Sequence, residues 1–337
     1  MFSQMKRRLG VLTAVAVMAA LVPAITSSPA SATTAVGTTG VALTVVGSPA
    51  TYSACPTGSA AAAGFTDTTS TDVDCIAMYG ITKGTTATTY SPTDSVPRWA
   101  MALYLTRALG PAGGTLGAGV SQGFTDISGK SAEIILAIDQ IAELGITVGK
   151  TATTFAPDDN VTREEMAMFI ERWLENVKAG PGGQSDADGL VAAATTTYVT
   201  SDCAGATACT AKYNYTDIDA GSVTVEGANA IKELYDMGIH DGVSATTFNP
   251  SSDMTRAAMA TFMTAALGHT NARPAGLTIQ ASLYTNAGAH TPTLSVSDRD
   301  ASFAPISGTP VDVFYWTTST TEGNAAFGAT GLCDDSV

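Results

Sequence analysis

Apolar residues recur with a helical period in two neighbouring stretches near the middle of the chain. Between residues 130 and 144 they fall on one face of a helix, at Ile134, Ile135, Ile138, Ile141 and Ala142. Gly145 follows at once, which is typical of a helix end. A second apolar stripe begins after Thr162 and comprises Met166, Phe169, Ile170, Trp173, Leu174 and Val177. The pattern predicts two helices joined by a loop at residues 145–161.

This loop carries a frame of residues that occurs three times in the chain. Gly145, Gly149, Phe155 and Arg163 are separated by four, six and eight residues, and the same spacings relate two other sets, Gly80, Gly84, Tyr90 and Arg98, and Gly238, Gly242, Phe248 and Arg256. An aromatic residue, threonine and aspartate open each copy and place Asp67, Asp126 and Asp217 at equivalent positions. Three matches in register indicate an internal repeat. We therefore expect a mainly α chain of three helix–loop–helix repeats.

The repeats set the division of the chain. We place repeat 1 at residues 64–109, repeat 2 at 124–178 and repeat 3 at 215–268. Residues 33–63 are an extended lead-in, 110–123 a glycine-rich flexible linker, and 179–214 a longer linker. That linker holds Asp186 and Asp188, which lack the ligand spacing of a calcium loop and favour a solvated segment.

The two ends of the chain differ from the repeats. Residues 1–32 combine a basic start, a short apolar stretch and small residues at Ala30 and Ala32, which predicts a secretory signal peptide rather than an uncleaved membrane anchor. Residues 269–337 alternate β-branched and aromatic residues with polar ones, for example at 311–316. We interpret them as the start of an immunoglobulin-like β-sandwich that is truncated, because about 65 residues are few for a complete one.

The charge and the cysteines restrict the partners and the compartment. A formal net charge of −14 argues against nucleic acid or an anionic membrane as a partner. In an exported chain the five cysteines favour disulfides over zinc, since no pair has CxxC spacing and no histidine is near. We expect Cys55–Cys75 to tie the lead-in to repeat 1 and Cys203–Cys209 to close a small loop, which leaves Cys333 unpaired.

The motifs of the repeats resemble those of the S-layer homology (SLH) family of bacterial surface proteins. The resemblance is carried by FTD, GITVG, FAP and VTREE in repeat 2 and by YTD, GIHDG, FNP and MTRAA in repeat 3. Repeat 1 is similar to the actinobacterial variant. The resemblance implies three repeats in a pseudo-threefold helical unit that binds a secondary cell-wall polymer, often pyruvylated, in grooves between repeats. It also implies an extracellular protein that is assembled into, or displayed on, the surface layer.

By this resemblance the arginine of each Thr-Arg motif supports polymer binding, at Arg98, Arg163 and Arg256. A planar guanidinium grips the carboxylate of a pyruvate ketal through two parallel hydrogen bonds, and a helix N-terminus also favours an anion. The turn glycines Gly84, Gly149 and Gly242 would let a sugar approach, or serve the turn alone. In the alternative, each arginine pairs with Asp67, Asp126 or Asp217 and only braces the fold. Trp99 and Trp173 lie on apolar faces and favour core positions over sugar stacking.

The three grooves are not expected to be equivalent. Thr162 and Glu165 form a capping box in repeat 2, whereas repeat 1 has Pro97 in place of the threonine and repeat 3 has Ala258 in place of the glutamate. We therefore expect the groove centred on Arg163 to be the best binder.

Nothing in the sequence favours catalysis, a metal site or a cofactor. The three histidines are scattered, and no nucleophile elbow, HExxH motif or phosphate loop is present. The first expectation is a non-enzymatic cell-wall anchor that is part of, or associated with, a surface layer. Two alternatives are the anchor of a larger surface enzyme or adhesin, and a structural module without a polymer ligand.

Overall fold

The computed structural model describes residues 35–36, 42–43, 52–181, 183, 185–186, 188–192, 215–218, 223–240, 242–281 and 294–308. Six α-helices lie in these residues: α1 Thr71–Met78, α2 Arg98–Leu109, α3 Ala132–Glu143, α4 Arg163–Leu174, α5 Val225–Asp236 and α6 Arg256–His269. The strands are β1 Ala35–Val36, β2 Ala42–Leu43, β3 Gly276–Ala281 and β4 Leu294–Arg299. Each repeat thus contributes two helices, and within the described residues the chain is mainly α.

Five of the six described helices begin after a serine or a threonine. Thr162 accepts a hydrogen bond from the backbone N–H of Glu165, and the Glu165 side chain accepts from the backbone N–H of Thr162. The predicted capping box is therefore confirmed. Thr255 caps α6 through the N–H of Ala258, whereas α2 begins after Pro97, which has no hydroxyl to offer.

The helices of different repeats interleave. The first helix of each repeat packs against the second helix of the repeat before it: α3 contacts α2, α5 contacts α4, and α1 contacts α6. The last of these pairs joins repeat 1 to repeat 3. The three helix pairs therefore form a closed ring rather than an open row.

Three backbone hydrogen bonds close the centre of this ring. The N–H of Val96 donates to the carbonyl oxygen of Met254 over 2.9 Å, that of Met254 to Val161 over 2.8 Å, and that of Val161 to Val96 over 2.9 Å. Each residue gives one N–H and one carbonyl, and all three side chains are fully buried. Because each lies two residues before its repeat's arginine, this triangle fixes the starts of α2, α4 and α6 around one axis.

The predicted apolar stripe of α4 is confirmed, since all six of its residues are buried. Trp173 is completely covered, and its indole N–H donates to the carbonyl oxygen of Leu105, 3.1 Å away. Trp99, predicted as a core residue, is only half-buried. The two tryptophans therefore differ in accessibility.

The glycine-rich segment at 110–123 follows a defined path along α3, which differs from the flexible linker that its composition predicts. The backbone N–H of Gly119 donates to the Glu143 carboxylate over 2.8 Å, and that of Gln122 to Asp139 over 3.0 Å. The Gln140 side chain donates to the carbonyl oxygen of Gly117. Side chains of α3 thus supply the partners that the segment's own glycines lack.

The regions outside the repeats are described in part. Cys55 and Cys75 form a disulfide, as predicted, which joins the lead-in to α1. Strands β3 and β4 pair antiparallel, with Gly276 opposite Arg299, so the described part of 269–337 contains a β-hairpin. Cys203, Cys209, Cys333, residues 1–32 and residues 311–316 lie outside the described residues.

Candidate functional site

Each of the three repeat arginines reaches into the loop of another repeat. Arg98 donates from Nε to the carbonyl oxygen of Phe155 over 2.8 Å, Arg163 to that of Phe248 over 2.6 Å, and Arg256 to that of Tyr90 over 2.6 Å. These carbonyls belong to repeats 2, 3 and 1, so the contacts follow the same ring as the helices. Each arginine therefore lies at the junction of two repeats, where a groove between repeats is expected.

The guanidinium groups also lie over aromatic rings. Arg163 has its Cζ 4.7 Å from the ring centre of Phe248 and 5.6 Å from that of Phe262. Arg98 lies in the same way over Phe155 and Phe169, and Arg256 over Tyr90 and Tyr104. A cation over an aromatic face is attracted by the ring's negative quadrupole. The cation thus has favourable partners although little of it is exposed.

Burial affects these arginines unequally. Arg98 is 2% exposed, Arg163 7% and Arg256 8%. Burial lowers the pKa of the Arg98 and Arg163 side chains, although a guanidinium stays charged at neutral pH. Nη2 of Arg256 is buried, and the described residues offer it no hydrogen-bond partner. An unsatisfied buried donor costs free energy.

The aspartates of the repeats bind backbone rather than arginine. The Asp126 carboxylate accepts from the N–H groups of Phe155 over 2.9 Å and Ala156 over 2.7 Å. Asp67 and Asp217 do the same for Tyr90–Ser91 and Phe248–Asn249. None of the ion pairs in the described part of the chain joins these aspartates to the three arginines. The arginines therefore brace the fold through carbonyl oxygens. Each also interacts electrostatically with one of the aspartates: Arg256 with Asp67, Arg98 with Asp126 and Arg163 with Asp217.

The aspartates hold a turn that side chains disfavour. Ala156, Ser91 and Asn249 have φ angles of 55°, 57° and 57°, in the left-handed region. Hydrogen bonds from Tyr90 and Ser91 lower the pKa of Asp67. Burial raises the pKa of Asp126, but the hydrogen bonds from Phe155 and Ala156 lower this pKa by more, so the net shift is downward. The charged carboxylate thus stabilises the turn that presents each carbonyl to its arginine.

The turn glycines make room for the aromatic residue that opens each repeat. A Cβ on Gly149 would lie 2.6 Å from the ring of Phe124 and from the carbonyl oxygen of Thr154. Gly84 and Gly242 face Phe65 and Tyr215 in the same way. This packing accounts for glycine at all three positions. The polymer contact of these glycines stays a prediction.

Repeat 3 has a histidine in its glycine turn where the other repeats have threonine. Thr82 and Thr147 accept from the N–H of Gly84 and Gly149, and His240 accepts through Nδ1 from Gly242. Its Nε2 lies 2.9 Å from the carbonyl oxygen of Ile231. Nδ1 can accept only while it carries no proton, so these contacts fit the neutral ring. Burial lowers the pKa of His240 to about 4.

The junction at Arg98 contains two residues whose place there the sequence did not predict. Oε1 of Glu165 lies 3.2 Å from Nη1 of Arg98 and 2.8 Å from Nζ of Lys150. We expected Glu165 only as the capping-box residue of its own repeat, and the ring also brings it to the arginine of repeat 1. Lys150 directly follows Gly149, and nothing in the local sequence marks it as a groove residue.

Comparison with known proteins identifies two regions of the chain. The model of the S-layer homology domain matches residues 123–167 and 215–260, and a domain of this kind indicates association with the cell surface and binding of cell-wall polysaccharide. An endoglucanase from Bacillus sp. (strain KSM-635) is 30% identical over 176 residues. The match covers 51% of this chain and 15% of that protein. In the part of the chain that the structure describes, every helix is too short or too polar to cross a membrane.

Proposed function

We propose that this chain is a non-catalytic anchor that holds an exported protein on the cell wall by binding an acidic secondary cell-wall polysaccharide. The proposal counts residues 64–109 as a third S-layer homology repeat, outside the two matched ranges. Two contacts support this. Arg98 donates to the carbonyl oxygen of Phe155 as Arg163 and Arg256 donate to theirs, and Val96 takes part in the triangle of backbone hydrogen bonds. The polymer lies in the grooves where one repeat's arginine meets the next repeat's loop.

The observation that carries the proposal is the placement of a buried cation at each junction. A guanidinium at the first turn of a helix, over two aromatic rings, is suited to a carboxylate. The chain as a whole is strongly acidic. At long range its net negative charge therefore repels a polyanion, and binding depends on these local sites. A pyruvate ketal on a sugar supplies a carboxylate of the required kind.

Export by the signal peptide at 1–32 and assembly into a surface layer belong to the same proposal. The start of a β-rich domain after residue 269 fits a displayed portion downstream of the anchor. A surface layer requires contacts between copies, which the anchor itself need not supply.

A second candidate function is the anchor of a larger enzyme. It is favoured by the endoglucanase, of which the matched region spans 15%. In that case the repeats would bind the wall as proposed, and catalysis would belong to another part of the protein. Assaying the full-length protein for hydrolysis of β-glucans separates this candidate from the structural one.

Co-sedimentation with purified cell walls tests the anchor. The parent chain is expected to sediment with walls, and Arg163→Gln is expected to sediment at least fivefold less. Arg172→Gln is the matched control, since it removes a charge from the same helix but lies outside the groove, in the last turn. Circular dichroism confirms that each variant is folded. Equal sedimentation of folded Arg163→Gln and parent would contradict the assignment of Arg163.

A further inference from the structure

The groove of Arg98 already holds a carboxylate, and it comes from the protein itself. Oε1 of Glu165 lies 3.2 Å from the Arg98 guanidinium and 2.8 Å from the Lys150 ammonium. Two cations on one oxygen form the arrangement that an acidic sugar would need. Glu165 is 17% exposed and covers an arginine that is 2% exposed. The carboxylate thus occupies the position of a ligand.

The capping box keeps this carboxylate in place. Oε2 of Glu165 accepts from the N–H of Thr162 over 3.2 Å, while Oε1 faces the two cations. The side chain is therefore oriented before any ligand arrives, and its local concentration is far above that of a dissolved sugar. A carboxylate ligand would have to displace it and leave Glu165 unpaired beside a buried site, which is unfavourable.

The other two grooves lack this occupant. The position of Glu165 corresponds to Ala258 in repeat 3 and to Ala100 in repeat 1, which follow the turns that bind Arg163 and Arg256. The position of Lys150 corresponds to Val243 and Thr85. Alanine provides no carboxylate. The described ion pairs include neither Arg163 nor Arg256.

We infer that Glu165 blocks the Arg98 groove as an internal substitute for the ligand, so that the chain binds acidic sugar at the grooves of Arg163 and Arg256 alone. The inference rests on the proposed function, because it assumes that these grooves bind a carboxylate. It assigns Glu165 as the residue that decides how many grooves are open. In this inference Arg98 stabilises the fold and does not bind the polymer.

Isothermal titration with a synthetic saccharide that carries one pyruvate ketal tests the inference by counting sites. The parent is expected to bind two equivalents. Glu165→Gln keeps an oxygen for the capping box but loses the charge, so it is expected to bind three. Ala258→Glu places a carboxylate at the position facing Arg163 and is expected to bind one. That variant also creates a capping box with Thr255, so it is expected to remain folded.

The outcomes separate this inference from the proposed function. Three equivalents for the parent, or an unchanged count in folded Glu165→Gln and Ala258→Glu, would overturn the inference and leave the anchor intact. No binding by the parent or by any variant would overturn the proposed function, and the inference with it. Loss of binding in Ala258→Glu together with a gain in Glu165→Gln would support both.

Discussion

Nε of Arg163 lies 2.6 Å from the carbonyl oxygen of Phe248, eighty-five residues further along the chain. The same arginine donates its backbone N–H to the carbonyl oxygen of Ser252 in that loop. The residue proposed to bind the wall therefore also connects repeats 2 and 3 by hydrogen bonds. Fold and ligand site share one side chain, so variants must be judged for stability as well as for binding.

Replacing Arg163 by lysine tests whether its contact with Phe248 stabilises the fold. Lysine keeps the charge but has neither the planar fork nor the Nε donor, so the buried Phe248 carbonyl loses its partner. We expect the free energy of unfolding to fall by about 1–3 kcal/mol, measured by urea denaturation. Arg172→Lys on the same helix is the control and is expected to change stability by less than about 0.5 kcal/mol. Equal stability of the two variants would contradict the role of the Phe248 contact.

A pair of glycine substitutions tests the reason for glycine in the turn of repeat 2. Gly149→Ala places a Cβ 2.6 Å from the Phe124 ring, whereas Gly145→Ala meets nothing within 4 Å. Both have positive φ, 79° and 73°, so both pay about 1–2 kcal/mol of backbone strain. Only Gly149→Ala adds the clash, and we expect it to be less stable by a further ~1–3 kcal/mol in thermal unfolding. Similar melting temperatures for the two variants would show that the packing of Phe124 does not require glycine.

Ala156 offers a test of the left-handed turn. Its φ of 55° is disfavoured for alanine, so Ala156→Gly is expected to stabilise the chain by about 0.5–1 kcal/mol. Ala167→Gly, a buried position in the middle of α4, has the opposite expectation and should destabilise by about 1 kcal/mol or more. Chemical denaturation of both variants gives the two signs. A loss of stability in Ala156→Gly would mean that the Asp126 hydrogen bonds remove the strain.

His240 makes stability depend on pH. Its pKa falls from 6.5 to about 4 on folding because the ring is buried. As pH drops below 6.5 the unfolded chain takes up a proton that the folded chain does not. The free energy of unfolding therefore decreases until about pH 4, by roughly 3 kcal/mol in total.

His240→Thr is the matched variant for this effect, since Thr82 and Thr147 occupy the corresponding positions. Stability measured from pH 7 to pH 4 should be flatter for the variant than for the parent. Carboxylates such as Asp126 titrate at lower pH and affect both proteins alike. Parallel curves for variant and parent would rule out His240 as the source.

Local patterns of the sequence were sufficient for the elements but not for their partners. The apolar periods, the Thr162–Glu165 spacing and Gly145 predicted α3 and α4 closely, because each is a property of neighbouring residues. The triangle of Val96, Val161 and Met254 joins residues from three repeats, and no period records such a pairing. The closed ring of helix pairs was expected only from the resemblance to the S-layer homology family.

At the candidate site, too, local sequence patterns do not record the contacts between repeats. The arginines were singled out because their spacing repeats, but Glu165 was predicted only as a capping-box residue. Its capping bond to Thr162 is local, whereas its ion pair with Arg98 spans two repeats. Lys150 carries no repeated signal, since the other turns have Thr85 and Val243 there. Contacts specific to one groove are the ones that repeat analysis misses.

The central claim is that the chain binds the cell wall by recognising an acidic group of the wall polymer. The most direct measurement is co-sedimentation of the full chain with native walls and with walls from which pyruvate ketals have been removed by mild acid. We predict binding to native walls that weakens with salt and falls at least tenfold after ketal removal. Equal binding to both wall preparations would contradict the claim.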